Sequence, residues 1–233
     1  MSIFYSMVDE MIYIEGGSFM MGADKEVDPD ADVYTEVPVH EVTLSDIYIG
    51  KYEVTQQLWQ YVMNYSGKAA DGTIMTASTS SVNDGYDYNY GVGPKYPANK
   101  FCYIEIVEIF LPRLNKITGL NYRLLTEAEW EYAARGGQKG KGYKYSGSNT
   151  IEDVAWFEEN SQTLGNDHPD YGFHEVGTKS PNELGIYDMS GGSWEYMMSV
   201  LVDSSNNPMS GKNNLLNSGF VGTYGLPGSD NSD

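Results

Sequence analysis

Cysteine is nearly missing from these 233 residues: Cys102 stands alone. No intrachain disulfide framework is therefore possible, and a lone cysteine is expected as a small buried hydrophobe rather than a nucleophile. Histidine is almost as scarce, with only His40, His168 and His174. None shows helical ligand spacing; His168 and His174 lie six apart in a stretch that reads as loop, where solvated or hydrogen-bonding roles are expected. Positive charge is in short supply too. Against 33 Asp+Glu there are 14 Lys+Arg, a formal net charge of −19, so a nucleic-acid backbone or an anionic lipid surface would be repelled. No apolar run is long enough to span a bilayer, so membrane insertion is not expected. The N-terminus, MSIFYSMVDEMIYIEGG, has no basic region ahead of an apolar one, so no signal peptide is expected. The chain reads as a soluble protein or the trimmed part of an exported one, with its compartment open. Finally, no G-x-S-x-G elbow, H-E-x-x-H pair or phosphate loop occurs.

What the chain does have is enough apolar material for a core: hydrophobic residues make up 40% and mean hydropathy is −0.44, which argues against disorder. The length fits one large domain or two small ones; with no internal repeat and no linker, a single domain over 1–233 is the economical reading, and a monomer is expected. The 20 Tyr and 26 Gly suit loops and binding surfaces, and those concentrated in Thr73–Asn99 mark a long loop. Acidic chains attract divalent cations, but without a local ligand cluster the charge signals only solubility.

Met11–Gly22 reads as a strand, a Gly-Gly turn and a second short strand. Ala23–Glu36, acidic and containing Pro29, reads as an exposed loop. Partial alternation from Val37 to Ile49 predicts strand with a break near Ser45–Asp46. Thr55 can N-cap a helix through Gln56–Tyr65, whose apolar stripe is Leu58, Trp59, Val62 and Met63. Helical spacing returns over Tyr103–Ile117, with a break or kink expected at Pro112. Thr126-Glu127-Ala128-Glu129 is a capping box opening a helix that carries Trp130 and stops at Gly136-Gly137. Beyond Gly137 no helix longer than a turn or two is predicted.

Several of these segments, in order, resemble the sulfatase-modifying-factor family, to which the formylglycine-generating enzymes belong. Tyr122–Gly137, YRLLTEAEWEYAARGG, is similar to the family's central signature, with Leu125 where proline is usual. Met11–Gly22 resembles its opening, and Gly50–Gln60, GKYEVTQQLWQ, its helix entry. Gly177–Glu195, GTKSPNELGIYDMSGGSWE, resembles its later signature, with Gly192 in place of a usual asparagine. The resemblance spans about 11–196. It implies an α+β, C-type-lectin-like fold with few helices, short sheets and long loops.

The resemblance also implies a chemistry, and this chain lacks its parts. A formylglycine-generating enzyme oxidises a sulfatase cysteine to an aldehyde using oxygen and copper held by two thiolates from its C-terminal third; soft thiolates select Cu(I). Here Cys102 lies before the signature helix, so copper is not expected and neither is formylglycine synthesis. The iron-dependent sulfoxide synthases of the family need a histidine cluster that three scattered histidines do not provide. The family's closing Arg-Gly-Gly-Ser-Trp and Gly-Phe-Arg strands have no match in Ser199–Asp233, where Gly219-Phe220 is not followed by arginine, so 197–233 reads as a divergent or truncated end. What the resemblance leaves standing is structural calcium. One family site maps to Asp188, Gly191, Ser193 and Glu195, whose two carboxylates and intervening Gly-Ser turn suit a hard cation that takes six to eight oxygens. A second maps to Asn160, Ser161, Asp170 and Phe173. The sequence therefore predicts a non-catalytic, calcium-stabilised family member acting as a binding or structural module, its protein or small-molecule ligand unspecified. The rivals are a family oxidoreductase with altered chemistry, or a fragment lacking its catalytic end, and a lectin-like ligand-display protein.

Overall fold

The structure, a computed structural model, describes residues 10–24, 26, 37–78, 91–165 and 167–198. Most of the acidic loop predicted at Ala23–Glu36, the centre of the Tyr/Gly-rich loop and the Ser199–Asp233 tail lie outside the described residues. The architecture is mixed α/β, with few helices and two-stranded sheets. The chain forms two compact units, each assembled from separated stretches of sequence.

The first unit comprises Met1–Met11, Gly50–Arg123 and Trp156–Lys179. Its first helix, α1 (Gln56–Asn64), starts where expected: the Thr55 hydroxyl accepts the Leu58 N–H at 3.2 Å. Trp59, Val62 and Met63 recur at helical spacing and are buried. The predicted break at Pro112 takes the form of one widened turn ahead of the proline. Pro112 has no N–H to give the Glu108 carbonyl, and its ring crowds the preceding turn. Glu105–Phe110 accordingly winds as π-helix, with the Leu111 N–H bonded to the Ile106 carbonyl, before α2 (Leu111–Thr118) continues to a left-handed Gly119. Along this bent segment Ile106, Phe110 and Leu114 are buried. The Trp59 ring stacks between Phe101 and Phe110, at centroid distances of 4.4 and 4.7 Å.

Three polar features of this unit have no counterpart in the apolar pattern. Gln56, 2% exposed, donates to the carbonyls of Gly91 and Pro97 and accepts the Gly93 N–H. Arg113 caps the end of α1, donating to the carbonyls of Val62, Tyr65 and Thr76, each at 3.0 Å. At the start of the predicted long loop, β5 (Gly67–Lys68), just ahead of it, and β6 (Ile74–Met75), within it, form a small antiparallel hairpin, whose turn Asp71 fixes by accepting the Thr73 N–H. Lone Cys102 is exposed, against the expectation of burial. It precedes the helical segment that opens at Tyr103, and its N–H is held by the Glu105 carboxylate at 2.7 Å, so the residue marks a helix entrance rather than the core.

The second unit comprises Ile12–Ile49, Leu124–Ala155 and Ser180–Asp233. β1 (Met11–Ile14) pairs with β4 (Ile47–Gly50), and β2 (Gly17–Met21) pairs antiparallel with β3 (His40–Leu44), Phe19 opposite Val42. The turn between β1 and β2 needs glycine for space: a Cβ on Gly16 would lie 2.3 Å from the Leu44 carbonyl oxygen. The signature helix α3 (Glu127–Ala134) carries the capping box its sequence predicts, Thr126 and Glu129 each binding the other's backbone N–H. Trp130, Tyr132, Ala133 and Ala134 are buried in one core with Ile14, Ile47, Ile49, Ile186 and Met189. A last short helix, α4 (Ile151–Val154), and 3-10 turns complete the regular structure.

Candidate metal centre

The segment from Ile186 to Met197 is tied into the core of the second unit at both ends, since Ile186, Met189 and Met197 are all buried there. Asn182 sets its entrance. This buried amide donates to the Ala133 carbonyl and the Ser146 hydroxyl and accepts the N–H groups of Leu184 and Ile186. Between these anchors the backbone is left-handed at Asp188 (φ 59°), Gly191 (φ 69°) and Gly192 (φ 76°). Left-handed geometry suits glycine and is tolerated by aspartate, which accounts for the residue types at these three positions. Asp188, Ser190 and Ser193 are buried polar residues, and the Ser190 hydroxyl accepts the Ser146 N–H at 3.1 Å.

Glu195 is where the electrostatics concentrate. Its carboxylate accepts the indole N–H of Trp130, at the middle of α3. Burial pushes its pKa up from the ordinary 4.5; the Trp130 bond opposes that shift and the nearby negative charge of Asp188 adds to it. Asp188 and Glu195, seven apart in sequence, thus lie within each other's field. A pair of like charges, Asp188 buried and Glu195 half-buried, is the situation a bound cation relieves. Among the described residues no group of three or more His, Cys, Asp or Glu side chains could hold a metal. A cation here would therefore draw on these two carboxylates together with backbone carbonyls, such as that of Gly191, and the Ser193 hydroxyl. Such an oxygen-only set suits calcium rather than copper or zinc.

The second predicted set is placed in the first unit, in two local turns. Asn160 accepts the Phe157 N–H at 2.7 Å and the Ser161 hydroxyl donates to the Phe157 carbonyl at 2.6 Å, so both side chains close their own turn. The Asp170 carbonyl lies 3.1 Å from His174 Nε2, and Asp170 donates its N–H to His168 Nδ1. His174 stacks on Trp156 at 3.5 Å between centroids, with Lys179 over the same indole. Burial lowers the His174 pKa. Phe173 is partly buried in the same stretch. His40, exposed on β3, has Nδ1 2.9 Å from the Pro38 carbonyl.

The residue that sequence reasoning missed is Trp130 as the partner of Glu195. Both belong to recognisable segments, but nothing in sequence spacing couples positions 65 apart.

Comparison with known proteins identifies the family. The family model described as "Sulfatase-modifying factor enzyme 1-like domain" matches residues 4–225. The chaperone protein LppX of Paenibacillus barcinonensis is 33% identical over 208 residues, covering 81% of this chain and 70% of that protein. The inactive C-alpha-formylglycine-generating enzyme 2 of Bos taurus is 36% identical over 87 residues, covering 33% of this chain and 26% of that protein. Among solved structures, PvdO from Pseudomonas aeruginosa superposes with a TM-score of 0.59 at 27% identity, over 82% of this chain and 70% of that one.

Proposed function

The chain belongs to the sulfatase-modifying factor family, and from that premise we propose that it is a non-catalytic, calcium-stabilised member acting as a binding or structural module. One observation carries the proposal. The 233 residues contain a single thiol, Cys102, whereas copper-dependent oxidation of a peptide cysteine needs two thiolates to hold Cu(I). One thiolate at a helix entrance does not supply that site. Two of the similarities support the same reading: a mammalian relative is named inactive, and a bacterial relative that aligns over most of this chain is named a chaperone protein. A chaperone's task is to hold a polypeptide without transforming it, which gives the binding module a concrete form, recognition of a client chain.

Calcium enters through the Asp188–Glu195 loop. When bound, the ion would supply charge neutralisation and a fixed loop path, with no redox chemistry. Asp188 and Glu195 would hold it through their carboxylates, Gly191 through its carbonyl and Ser193 through its hydroxyl. Trp130 would keep one Glu195 oxygen oriented through its indole N–H.

Incubation with copper, oxygen and a Cys-x-Pro-x-Arg peptide is expected to give no aldehyde by mass spectrometry. Turnover that disappears in Cys102→Ser would overturn the non-catalytic assignment.

A further inference from the structure

In a chain of net charge −19, positive charge is densest over Lys139–Lys144. From Arg135 to Thr150 there are four basic residues and no acidic one. Lys139, Lys141 and Lys144 stand within six positions, all exposed. Among the described residues none of these three ammonium groups is in an ion pair. Lys141 and Lys144 instead lie over their neighbours Tyr143 and Tyr145, at 5.7 and 5.2 Å from the ring centroids. The Glu183 carboxylate reaches only the foot of the loop, beside Gly136.

The backbone beneath these lysines is fixed. Lys139 and Gly140 donate their N–H groups to the carbonyls of Gly136 and Gly137, Lys144 donates its N–H to the Asn149 side chain, and Tyr145 pairs with Ser148. Gly140 sits against the Arg135 carbonyl, where a Cβ would lie 2.2 Å away, and the Gly142 Cβ position has nothing within 4 Å. The loop therefore alternates lysine with glycine, leaving backbone uncovered between the charges.

We infer that residues 138–144 form a docking site for a short acidic stretch of polypeptide, its carboxylates taken by Lys139, Lys141 and Lys144 and its backbone lying along the glycines. The loop leaves a 3-10 turn over Gly137–Lys139, so it is a short platform that suits a short partner segment. A long polyanion is disfavoured, because in a chain of net charge −19 its charge would extend beyond the three lysines, whereas a short segment confines its charge within about a Debye length of them. The inference rests on the binding-module reading and names the chemistry of its partner.

The test is fluorescence anisotropy of a labelled hexaglutamate peptide titrated with the full chain at low and at physiological salt. Wild type should bind, more weakly as salt rises. Lys139→Gln/Lys141→Gln/Lys144→Gln should bind about tenfold or more weakly. Lys68→Gln/Lys95→Gln/Lys116→Gln, which removes the same charge elsewhere, should bind as wild type does. Circular dichroism melts establish that both variants fold. No binding by wild type, equal loss in both variants, or tighter binding to heparin or phosphatidylserine vesicles than to the peptide would overturn the inference. None of these results would produce an aldehyde or remove a calcium shift, so its failure is distinguishable from failure of the family-level reading.

Discussion

Glu195 has two obligations: its carboxylate accepts the Trp130 indole N–H, and it lies in the field of Asp188. Its raised pKa fixes the sign of a pH effect. A folded-state pKa above the unfolded value means that the native state holds the proton more tightly. The stability this provides is complete below the ordinary 4.5 and is lost as pH rises through the raised value. With a chelator present, denaturant unfolding should therefore show stability falling as pH climbs above about 4.5, and Glu195→Gln should flatten that fall. A slope that survives the substitution would place its origin in another group. With calcium present the dependence should reverse over the same window, because the ion needs the ionised carboxylate.

At the scale of elements, the signature helix offers the sharpest expectation. Thr126→Ala removes the reciprocal cap and should cost about 0.5–2 kcal/mol, while Trp130→Ala empties a core position and should cost about 3–5 kcal/mol. Urea melts that leave Trp130→Ala neutral would contradict the packing of α3. This helix, α1 and the four strands β1–β4 were legible in sequence because their signals are local: a hydroxyl before an apolar stripe, alternation broken at Ser45–Asp46, a proline inside a helical pattern. The β5–β6 hairpin was not, since two-residue strands are too short for any period to register. The burial of Gln56 and Asn182 was equally hidden. An amide enters a core only where backbone partners wait for it, and theirs lie as far as 41 and 49 residues away. Of the candidate centre, the carboxylate pair could be read from its spacing and from family resemblance, but the indole beneath it could not.

For the whole molecule the proposed calcium site makes ionic conditions the variable to test. An ion that binds only the folded state stabilises by mass action, about 2.7 kcal/mol at a hundredfold excess over Kd. Chelation should lower the melting temperature, and calcium should restore it further than magnesium, which resists irregular oxygen cages. Asp188→Asn and Glu195→Gln should each shrink the calcium response in differential scanning fluorimetry. A full response in the double variant would move the ion elsewhere, with Asn160–Phe173 the next place to look.

The anchors around residues 79–90 carry a consequence for how this protein can change over evolutionary time. On one side the Ser78 N–H is bonded to the Met63 carbonyl at 2.8 Å and Arg113 holds the Thr76 carbonyl; on the other Gln56 holds Gly91, Gly93 and Pro97. Both borders are thus fastened to α1 and α2. Because loop-closure entropy grows only as the logarithm of length, doubling such a span costs roughly 0.6 kcal/mol. A lengthening between these two borders is therefore expected to cost the scaffold little. Twelve Gly/Ser residues inserted there should leave the melting temperature within a few degrees of wild type, whereas the same insertion between Gly119 and Thr126 should unfold the protein.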